Sequence, residues 1–303
     1  MPALLAFTFP GQGSQRPGMG RPWVDHESWE LVDEASEIAG RDVAALLLDA
    51  DADELKDTRN AQLTTFVSSL MVLDAVERLG IEPSYCAGHS LGEYTALTAA
   101  GALSFEDGVR LVAARGEAMQ GAADGRPGTM AAVLGLDVDE VVAACEGVDD
   151  AWLANDNAPG QVVVAGTTAG VDAAGAAVKE RGAKRVMSLP VGGAFHTPLM
   201  APAVEGLAAA LADVAFGDPR PPVVANVDAA PHASGGDWPG LLTEQLCQPV
   251  RWRPTLEHLG ADVVVEVGPG GVLTGMAKRT VPDARTLTVS EPDQVEAVLT
   301  ALA

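Results

Sequence analysis

The stretch "SYCAGHSLGEYTALTAAGAL", residues 84–103, constrains the fold more than any other part of the chain. A short apolar strand runs into Gly-x-Ser-x-Gly at residues 88–92, and a helix of small residues follows. This order predicts a nucleophile elbow, the sharp strand-to-helix turn that exposes a serine at the top of an α/β sheet. Gly88 and Gly92 lack the side chains that such a turn would crowd together. We therefore expect an α/β fold with Ser90 at a helix N-terminus.

Other segments continue the alternation of strands and helices that is typical of an α/β sheet. Functional loops are expected where Gly-rich turns follow apolar strands, because ligands bind beyond the carboxyl ends of the strands in such sheets. The predicted segments are the strand "ALLAFTFP" (3–10) before "GQGSQ", a buried helix (61–80) ending at Gly80, an amphipathic helix (105–123), and the strand-to-loop units "VVANVDA" (223–229) and "ADVVVEVGPGGVL" (261–273).

A compact run of elements interrupts this pattern between residues 128 and 193. The segments "GTMAAVLGL", "DVDEVVAACEG", "AWLANDNAPGQVVVAG", "TAGVDAAGAAVKERG" and "AKRVMSLPV" predict the order β, α, β, α, β. We interpret residues 128–193 as a small inserted subdomain. Residues 1–127 and 194–303 then form the large subdomain.

Composition excludes several classes of function. The formal net charge of −23 disfavours nucleic acid as a ligand, because phosphate binding needs a basic surface. Cys86, Cys145 and Cys247 follow no metal-ligand spacing, so we expect buried free thiols and no metal site. No apolar run is long enough to cross a bilayer and the N-terminus lacks signal-peptide features, which predicts a cytoplasmic protein without membrane contact.

A serine nucleophile needs a neighbouring base, and the histidines compete for that role. His89 adjoins Ser90 but is expected to point away from it, as a structural group. His196 follows an apolar strand in the loop "GAFHTP", where α/β sheets hold their chemistry. His26 and His258 in polar helical stretches and His232 in a loop are ordinary solvated positions. The residues alone favour His196 without excluding the others.

The ordered set of motifs resembles the malonyl-CoA:acyl-carrier-protein transacylases and the acyltransferases of polyketide synthases, specifically the freestanding bacterial kind. The resemblance covers nearly the whole chain and implies an α/β-hydrolase-like large subdomain with an inserted ferredoxin-like small one. The matching segments are "FPGQGSQ", "GHSLGEYTAL", "RGEAMQ", "GTMAAVLGL", "NAPGQVVVAG", "GAFHTPLM", "QLCQPVRW" and "EVGPGGVLTGM".

The resemblance also implies a role for each catalytic position. Ser90 would attack the thioester of malonyl-CoA, with His196 as the base. Gln245 would orient His196 through its backbone carbonyl. The backbone amides of Gln12 and Leu91 would form the oxyanion hole.

Substrate-binding positions follow from the same resemblance. Arg115 would clamp the malonyl carboxylate with charge-assisted hydrogen bonds. Phe195 and the Leu91 side chain favour malonyl over methylmalonyl, because they leave little room for a methyl group. Gln62, Asn155 and Asn157 are expected beside the site. Gln62 stands in "NAQLTT", where the family often has Thr-Gln-Pro-Ala, and Asp156 is expected to face solvent.

The implied partners are malonyl-CoA and the phosphopantetheine arm of an acyl carrier protein, with no permanently bound cofactor and a monomeric enzyme. Carrier proteins are acidic like this chain, so local basic groups must compensate, and we predict docking at Lys184 and Arg185. Three alternatives stay open: an editing acyl hydrolase, a transferase for methylmalonyl or another extender unit, and a non-catalytic docking protein.

Overall fold

The computed structural model describes residues 3–302 in two β-sheets with flanking helices. The strands are β1 (Leu5–Phe9), β2 (Tyr85–Gly88), β3 (Thr129–Leu134), β4 (Ala151–Ala158), β5 (Gln161–Gly166), β6 (Arg185–Ser188), β7 (Val223–Val224), β8 (Pro231–His232), β9 (Val263–Val267) and β10 (Arg285–Val289). The α-helices are α1 (Glu30–Ala39), α2 (Val43–Leu48), α3 (Thr58–Glu77), α4 (Gly92–Ala99), α5 (Phe105–Gly125), α6 (Val138–Cys145), α7 (Thr168–Glu180), α8 (Ala201–Ala212), α9 (Trp238–Gln245), α10 (Trp252–Leu259), α11 (Val272–Thr280) and α12 (Val295–Leu302).

The large sheet has the order β10-β9-β1-β2-β7-β8 and is parallel except at β8. β1 lies in the middle, with all five of its residues buried, so its apolar run "LAFTF" is covered on both faces. Because parallel strands end at the same edge, the loops that follow β1, β2, β7 and β9 meet there. That edge carries the Gly-x-Ser-x-Gly turn.

The small sheet has the antiparallel order β4-β5-β3-β6, and α6 and α7 pack against it. It confirms the mixed α/β architecture with a second small unit. One detail of the prediction was wrong: "AWLANDNAPGQVVVAG" is a hairpin of β4 and β5 and not one strand. Gly160, with φ of 67°, supplies the left-handed residue that lets the chain reverse after Pro159. The predicted limits at residues 128 and 193 stay a prediction.

Helix α3 is buried along almost its whole length and packs against α5, α1 and α4. The Asp57 side chain accepts a hydrogen bond from the Arg59 N–H and so caps its first turn. The helix ends at Glu77, slightly before the predicted Gly80, which has φ of 72° in the turn that follows. This helix holds Gln62 beside the functional edge of the sheet.

The structure also bears on the predictions about the three cysteines and about membrane-spanning segments. Cys86 and Cys145 are buried free thiols, as predicted, whereas the free thiol of Cys247 is only half-buried. Within residues 3–302, no helix combines the length and the apolar composition that crossing a membrane requires.

Candidate active site

Ser90 sits in a strained turn between β2 and α4, with φ of 54°. A Cβ atom added to Gly88 would lie 1.8 Å from the Gly92 carbonyl oxygen, and one added to Gly92 would lie 2.0 Å from the Phe9 carbonyl oxygen. Only glycine fits at either position, because backbone lies against backbone there. The predicted elbow is present, and its strain is held by the packing of β1 against the turn.

The Ser90 hydroxyl lies within hydrogen-bond reach of a histidine from a distant loop. Ser90 Oγ is 2.8 Å from His196 Nε2, and His196 Nδ1 is 2.7 Å from the backbone carbonyl oxygen of Gln245. Because a carbonyl oxygen only accepts, Nδ1 carries the hydrogen and Nε2 is free to accept the serine proton. Both contacts have the geometry that nucleophile activation requires.

Burial, followed by the positive charge of Arg115, lowers the pKa of His196 to about 3. The imidazole is therefore neutral at neutral pH, which is the form that a base needs. His89 also has a lowered pKa because it is buried, but it contacts Asn157 Oδ1 at 2.9 Å and not the serine. The His89 ring also packs edge-on against Trp252. These contacts agree with the prediction that His89 points away from Ser90 and is a structural group.

Arg115 projects from α5 and is only 1% exposed. Its Nη2 donates to Ser90 Oγ at 3.0 Å and to Gln245 Oε1 at 2.8 Å, and its Nη1 donates to Gln62 Oε1 at 2.7 Å. The guanidinium also lies 5.3 Å from the centre of the Tyr94 ring. A full positive charge thus stands directly behind the nucleophile, surrounded by neutral groups.

Two residues that sequence reasoning missed hold the elbow in place. Asn226 Oδ1 accepts the Ser90 N–H at 2.7 Å, and Asn226 Nδ2 donates to the Gly88 carbonyl at 2.7 Å. Glu93 accepts the Asn226 N–H at 2.6 Å and a hydrogen bond from the Gln245 side-chain amide. Both carried a signal in the sequence: Glu93 is the one charged residue in an apolar helix, and Asn226 directly follows an apolar strand.

Gln245 contacts the site through its side chain as well as through its carbonyl. Its Nε2 donates to the Ser90 carbonyl oxygen at 2.9 Å, in addition to the bond to Glu93. The residue ends α9 and is fully buried. The resemblance to the family implies only the backbone contact.

The predicted oxyanion donors are backbone amides from two loops that touch. A Cβ atom on Gly11 would lie 2.3 Å from the His89 carbonyl oxygen, so the "PGQG" turn presses against the elbow. Gln12 lines the same cleft as Ser90. Within residues 3–302, neither the Gln12 N–H nor the Leu91 N–H donates a hydrogen bond to another residue.

A cleft of about 430 Å³ opens over the serine between the two sheets. Phe195, Asn155 and Asn157 are on its wall, whereas Gln62 lies behind Arg115 and binds it. The prediction that the Leu91 side chain restricts the substrate pocket was wrong, because this side chain is fully buried in the main core and not on the cleft wall.

The expectation that Asp156 faces solvent was wrong. It is 5% exposed and forms hydrogen bonds with Arg253 Nε and Nη2 at 2.9 to 3.1 Å. A bidentate pair of this kind neutralises a carboxylate that would otherwise be buried beside the cleft. Within the described residues, no cluster of His, Cys, Asp or Glu side chains is arranged to hold a metal ion.

The predicted docking pair Lys184 and Arg185 is exposed at the start of β6, away from the cleft wall. The Lys184 stem lies over Gly135, whose N–H donates to the Gly160 carbonyl in the β4–β5 turn. Gln161, the first residue of β5 after that turn, lines the cleft and accepts a hydrogen bond from Arg279.

Comparison with known proteins identifies the family. The acyl transferase domain model matches residues 6–300. The malonyl CoA-acyl carrier protein transacylase of Bacillus subtilis is 41% identical over 307 residues, covering 98% of this chain and 97% of that protein. An acyl carrier protein S-malonyltransferase from Vibrio cholerae superposes with a TM-score of 0.92 at 38% identity, covering 97% of this chain and 99% of the other.

A third similar structure is a malonyl-transacylase in complex with a holo type II polyketide-synthase acyl-carrier protein. It superposes with a TM-score of 0.95 at 37% identity, and the match covers 99% of this chain and 100% of the other. These relatives are 37% to 41% identical to this chain over nearly the full length of both proteins, and the solved structures superpose on its whole fold. The chain therefore belongs to the malonyl-CoA:acyl-carrier-protein transacylases.

Proposed function

We propose that Ser90 transfers a malonyl group from malonyl-CoA to the phosphopantetheine thiol of an acyl carrier protein through an acyl-serine ester. One observation carries the assignment of roles. The Ser90 oxygen lies 2.8 Å from a neutral imidazole and 3.0 Å from a buried guanidinium, so a base and a cation converge on one nucleophile. The first half-reaction needs the base and the malonyl carboxylate needs the cation.

In the first half-reaction, His196 Nε2 takes the Ser90 proton while Oγ attacks the thioester carbonyl. The amides of Gln12 and Leu91 stabilise the oxyanion that forms. The tetrahedral intermediate collapses, the C–S bond breaks, and His196 returns the proton to the CoA thiolate. The Gln245 carbonyl holds the imidazole in the required tautomer, so no aspartate is needed behind the histidine.

Arg115 would bind the free carboxylate of the malonyl group. Arg115 Nη2 donates a hydrogen bond to the serine oxygen at 3.0 Å, and the carboxylate of incoming malonyl-CoA would compete with that oxygen for this donor. The negative charge of the substrate would also offset the positive charge that depresses the pKa of His196. The substrate therefore helps the imidazole to hold the proton during the reaction.

Phe195 would restrict the acyl group to small substituents. It lines the cleft, is 5% exposed, and directly precedes the base. An aromatic ring beside the α-carbon disfavours an additional methyl group by roughly 1–3 kcal/mol. We therefore propose malonyl as the preferred group, with methylmalonyl as the poorer alternative.

In the second half-reaction, the phosphopantetheine thiol attacks the acyl-serine ester. His196 takes the proton of the thiol and returns it to Ser90 Oγ as the ester C–O bond breaks. The neighbour solved with a holo type II polyketide-synthase carrier supports this partner for our chain. We propose that the enzyme acts in the cytoplasm, in fatty-acid or polyketide synthesis, and that Lys184 and Arg185 contact the carrier.

A labelling experiment tests this function. The protein is incubated with radiolabelled malonyl-CoA, with and without a phosphopantetheinylated carrier, and the label is followed on enzyme, carrier and free malonate. We expect labelled enzyme that passes its label to the carrier. Rapid release of free malonate would indicate an editing hydrolase, and an unlabelled enzyme would indicate a docking protein.

A further inference from the structure

The buried guanidinium of Arg115 has no direct counter-charge in the described part of the chain. Its hydrogen-bond acceptors are the oxygens of Gln62, Ser90 and Gln245, which are all neutral. Its Nε has no partner at all within those residues. A buried charge without compensation is costly, so the nearest carboxyl group matters to the electrostatics of the site.

That carboxyl group is Glu93, which is 1% exposed. The Gln245 side-chain amide bridges the two, because its Oε1 accepts from Arg115 and its Nε2 donates to Glu93. Glu93 Oε1 accepts the Asn226 N–H at 2.6 Å. Arg115 and Glu93 are therefore linked by a single amide, without a direct ion pair.

We infer that Glu93 competes with the malonyl carboxylate for the charge of Arg115, so that binding of malonyl-CoA is coupled to the protonation of Glu93. When Glu93 is ionised, the guanidinium is already compensated and an incoming anion meets a second negative charge. When Glu93 is protonated, the positive charge is free for the substrate. The inference rests on the proposed role of Arg115 as the malonyl clamp.

The charged and titratable groups around Glu93 set the pH range. Burial raises the pKa of Glu93 to about 8, opposed by the Asn226 and Gln245 hydrogen bonds and by the positive charge of Arg115. Asp228, in the loop after β7, raises it further. The neighbouring Tyr94 hydroxyl has a raised pKa because it is buried, so it stays neutral in this range.

The sign of the effect follows from these charges. A bound malonyl carboxylate raises the pKa of Glu93 above its value in the free enzyme, because like charges disfavour ionisation. Below about pH 8 the free enzyme already holds the proton, and binding takes up none. Above about pH 8, Glu93 is ionised in the free enzyme, so binding of malonyl-CoA must take up one proton. We therefore expect kcat/KM for malonyl-CoA to fall about tenfold between about pH 7 and pH 9, in proportion to the protonated fraction of Glu93.

The first test uses the unaltered enzyme. The rate of Ser90 acylation is measured from about pH 6.5 to 9 with malonyl-CoA and with acetyl-CoA, which carries the same CoA but no carboxylate. We expect the alkaline fall with malonyl-CoA only. Equal pH profiles for the two substrates would overturn the inference.

The second test counts protons directly. The Ser90→Ala variant, which cannot be acylated, is titrated with each acyl-CoA at about pH 8.5 in buffers of different ionisation enthalpy. We expect uptake of up to one proton with malonyl-CoA beyond that with acetyl-CoA. The absence of any malonyl-specific uptake would contradict the proposal.

Substitution assigns the proton to its residue. Glu93→Gln cannot ionise, so the malonyl-specific fall should vanish, even though the absolute rate drops because an amide cannot accept both hydrogen bonds. Glu266→Gln is the matched control: Glu266 is also a buried carboxyl with a raised pKa that accepts two backbone N–H bonds, but it does not contact Gln245. Persistence of the fall in Glu93→Gln would exclude Glu93.

The clamp itself is tested separately by Arg115→Ala. If that variant keeps the wild-type preference for malonyl-CoA over acetyl-CoA, the proposed role of Arg115 is wrong. If the preference disappears but the unaltered enzyme shows no malonyl-specific proton uptake, only the inference about Glu93 fails.

Discussion

The Ser90 oxygen contacts both the His196 imidazole and the Arg115 guanidinium, and these two groups must be in different charge states: the first neutral, the second positive. The imidazole must be neutral to accept a proton, and burial together with the nearby positive charge keeps it neutral by lowering its pKa. The guanidinium must remain charged to bind a carboxylate, and it does so although burial lowers its pKa, because arginine has a very high intrinsic value. In the proposed roles, one cation would serve both recognition of the substrate and the chemistry of the base.

Replacing Arg115 by alanine should separate these effects. We expect kcat/KM for malonyl-CoA to fall about 100-fold or more, because a buried charge-assisted contact to the substrate is lost. Transfer from acetyl-CoA should fall much less. Arg110→Ala is the matched control on the same helix, since Arg110 is exposed and, among the residues that the structure describes, forms an ion pair with Glu106 alone. Steady-state rates with both substrates check this, and equal losses would contradict the clamp.

The lowered pKa of His196 predicts an unusual acid limb in the pH profile. The folded pKa lies near 3, below the ordinary value, so the neutral base is lost only as the pH falls through that low value. Acylation of the enzyme by malonyl-CoA should therefore be flat from about pH 5 to 7. Single-turnover acylation rates measure this directly. An inflection near 6.5 would show that the imidazole titrates like an exposed histidine.

At the scale of elements, the elbow depends on contact between backbones. The carboxyl end of β1, the turn after β2 and the start of α4 lie so close that Gly88 and Gly92 have no room for a methyl group. Asn226 then ties the turn to the end of β7 through two hydrogen bonds. The positive φ of Ser90 is maintained by this surrounding structure.

Gly88→Ala and Gly92→Ala should each destabilise the fold by several kcal/mol, because overpacking against backbone cannot be relieved by side-chain motion. Activity should be lost with the fold. Gly121→Ala is the control: it lies in helix α5, nothing approaches its Cβ position within 4 Å, and it should stabilise by about 0.5–1 kcal/mol. Chemical denaturation measures the free energy of unfolding of the three variants. Unchanged stability of both elbow variants would contradict the close packing.

Local patterns predicted most elements but not all of their limits. "VVANVDA" has the composition of a longer strand, yet β7 contains only Val223 and Val224. The chain leaves the sheet at Asn226 because its N–H and side chain bond to Glu93 and the elbow, which lie far away in sequence. Periodicity describes neighbours along the chain and contains no information about such partners.

The whole molecule carries a large negative charge, which opposes the approach of an acidic carrier protein. Several cations are already paired within the protein: Arg253 binds Asp156, and Arg181 binds Glu140. Lys184 and Arg185 are exposed on the small sheet and form no ion pair within the described residues. They therefore remain the proposed carrier contacts.

Charge reversal tests this surface. Lys184→Glu combined with Arg185→Glu should raise the KM for the carrier protein about threefold to tenfold, with little change in the KM for malonyl-CoA. Arg78→Glu combined with Arg110→Glu alters the net charge equally at exposed positions off the cleft wall and should change the carrier KM less. Similar effects of the two pairs would indicate a general charge effect without specific docking.

By itself, the sequence determined the fold class, the strand-to-helix turn at Ser90 and, through the ordered motifs, the family. These features are local: apolar periodicity, glycine spacing and short segments in a given order. Only the tertiary structure decided that His196 and not His89 reaches the serine, that Asp156 is neutralised by Arg253, and that Glu93 and Asn226 belong to the site. Each of these facts joins residues far apart in the chain, and contacts between such residues form only when the strands, helices and loops that carry them pack together.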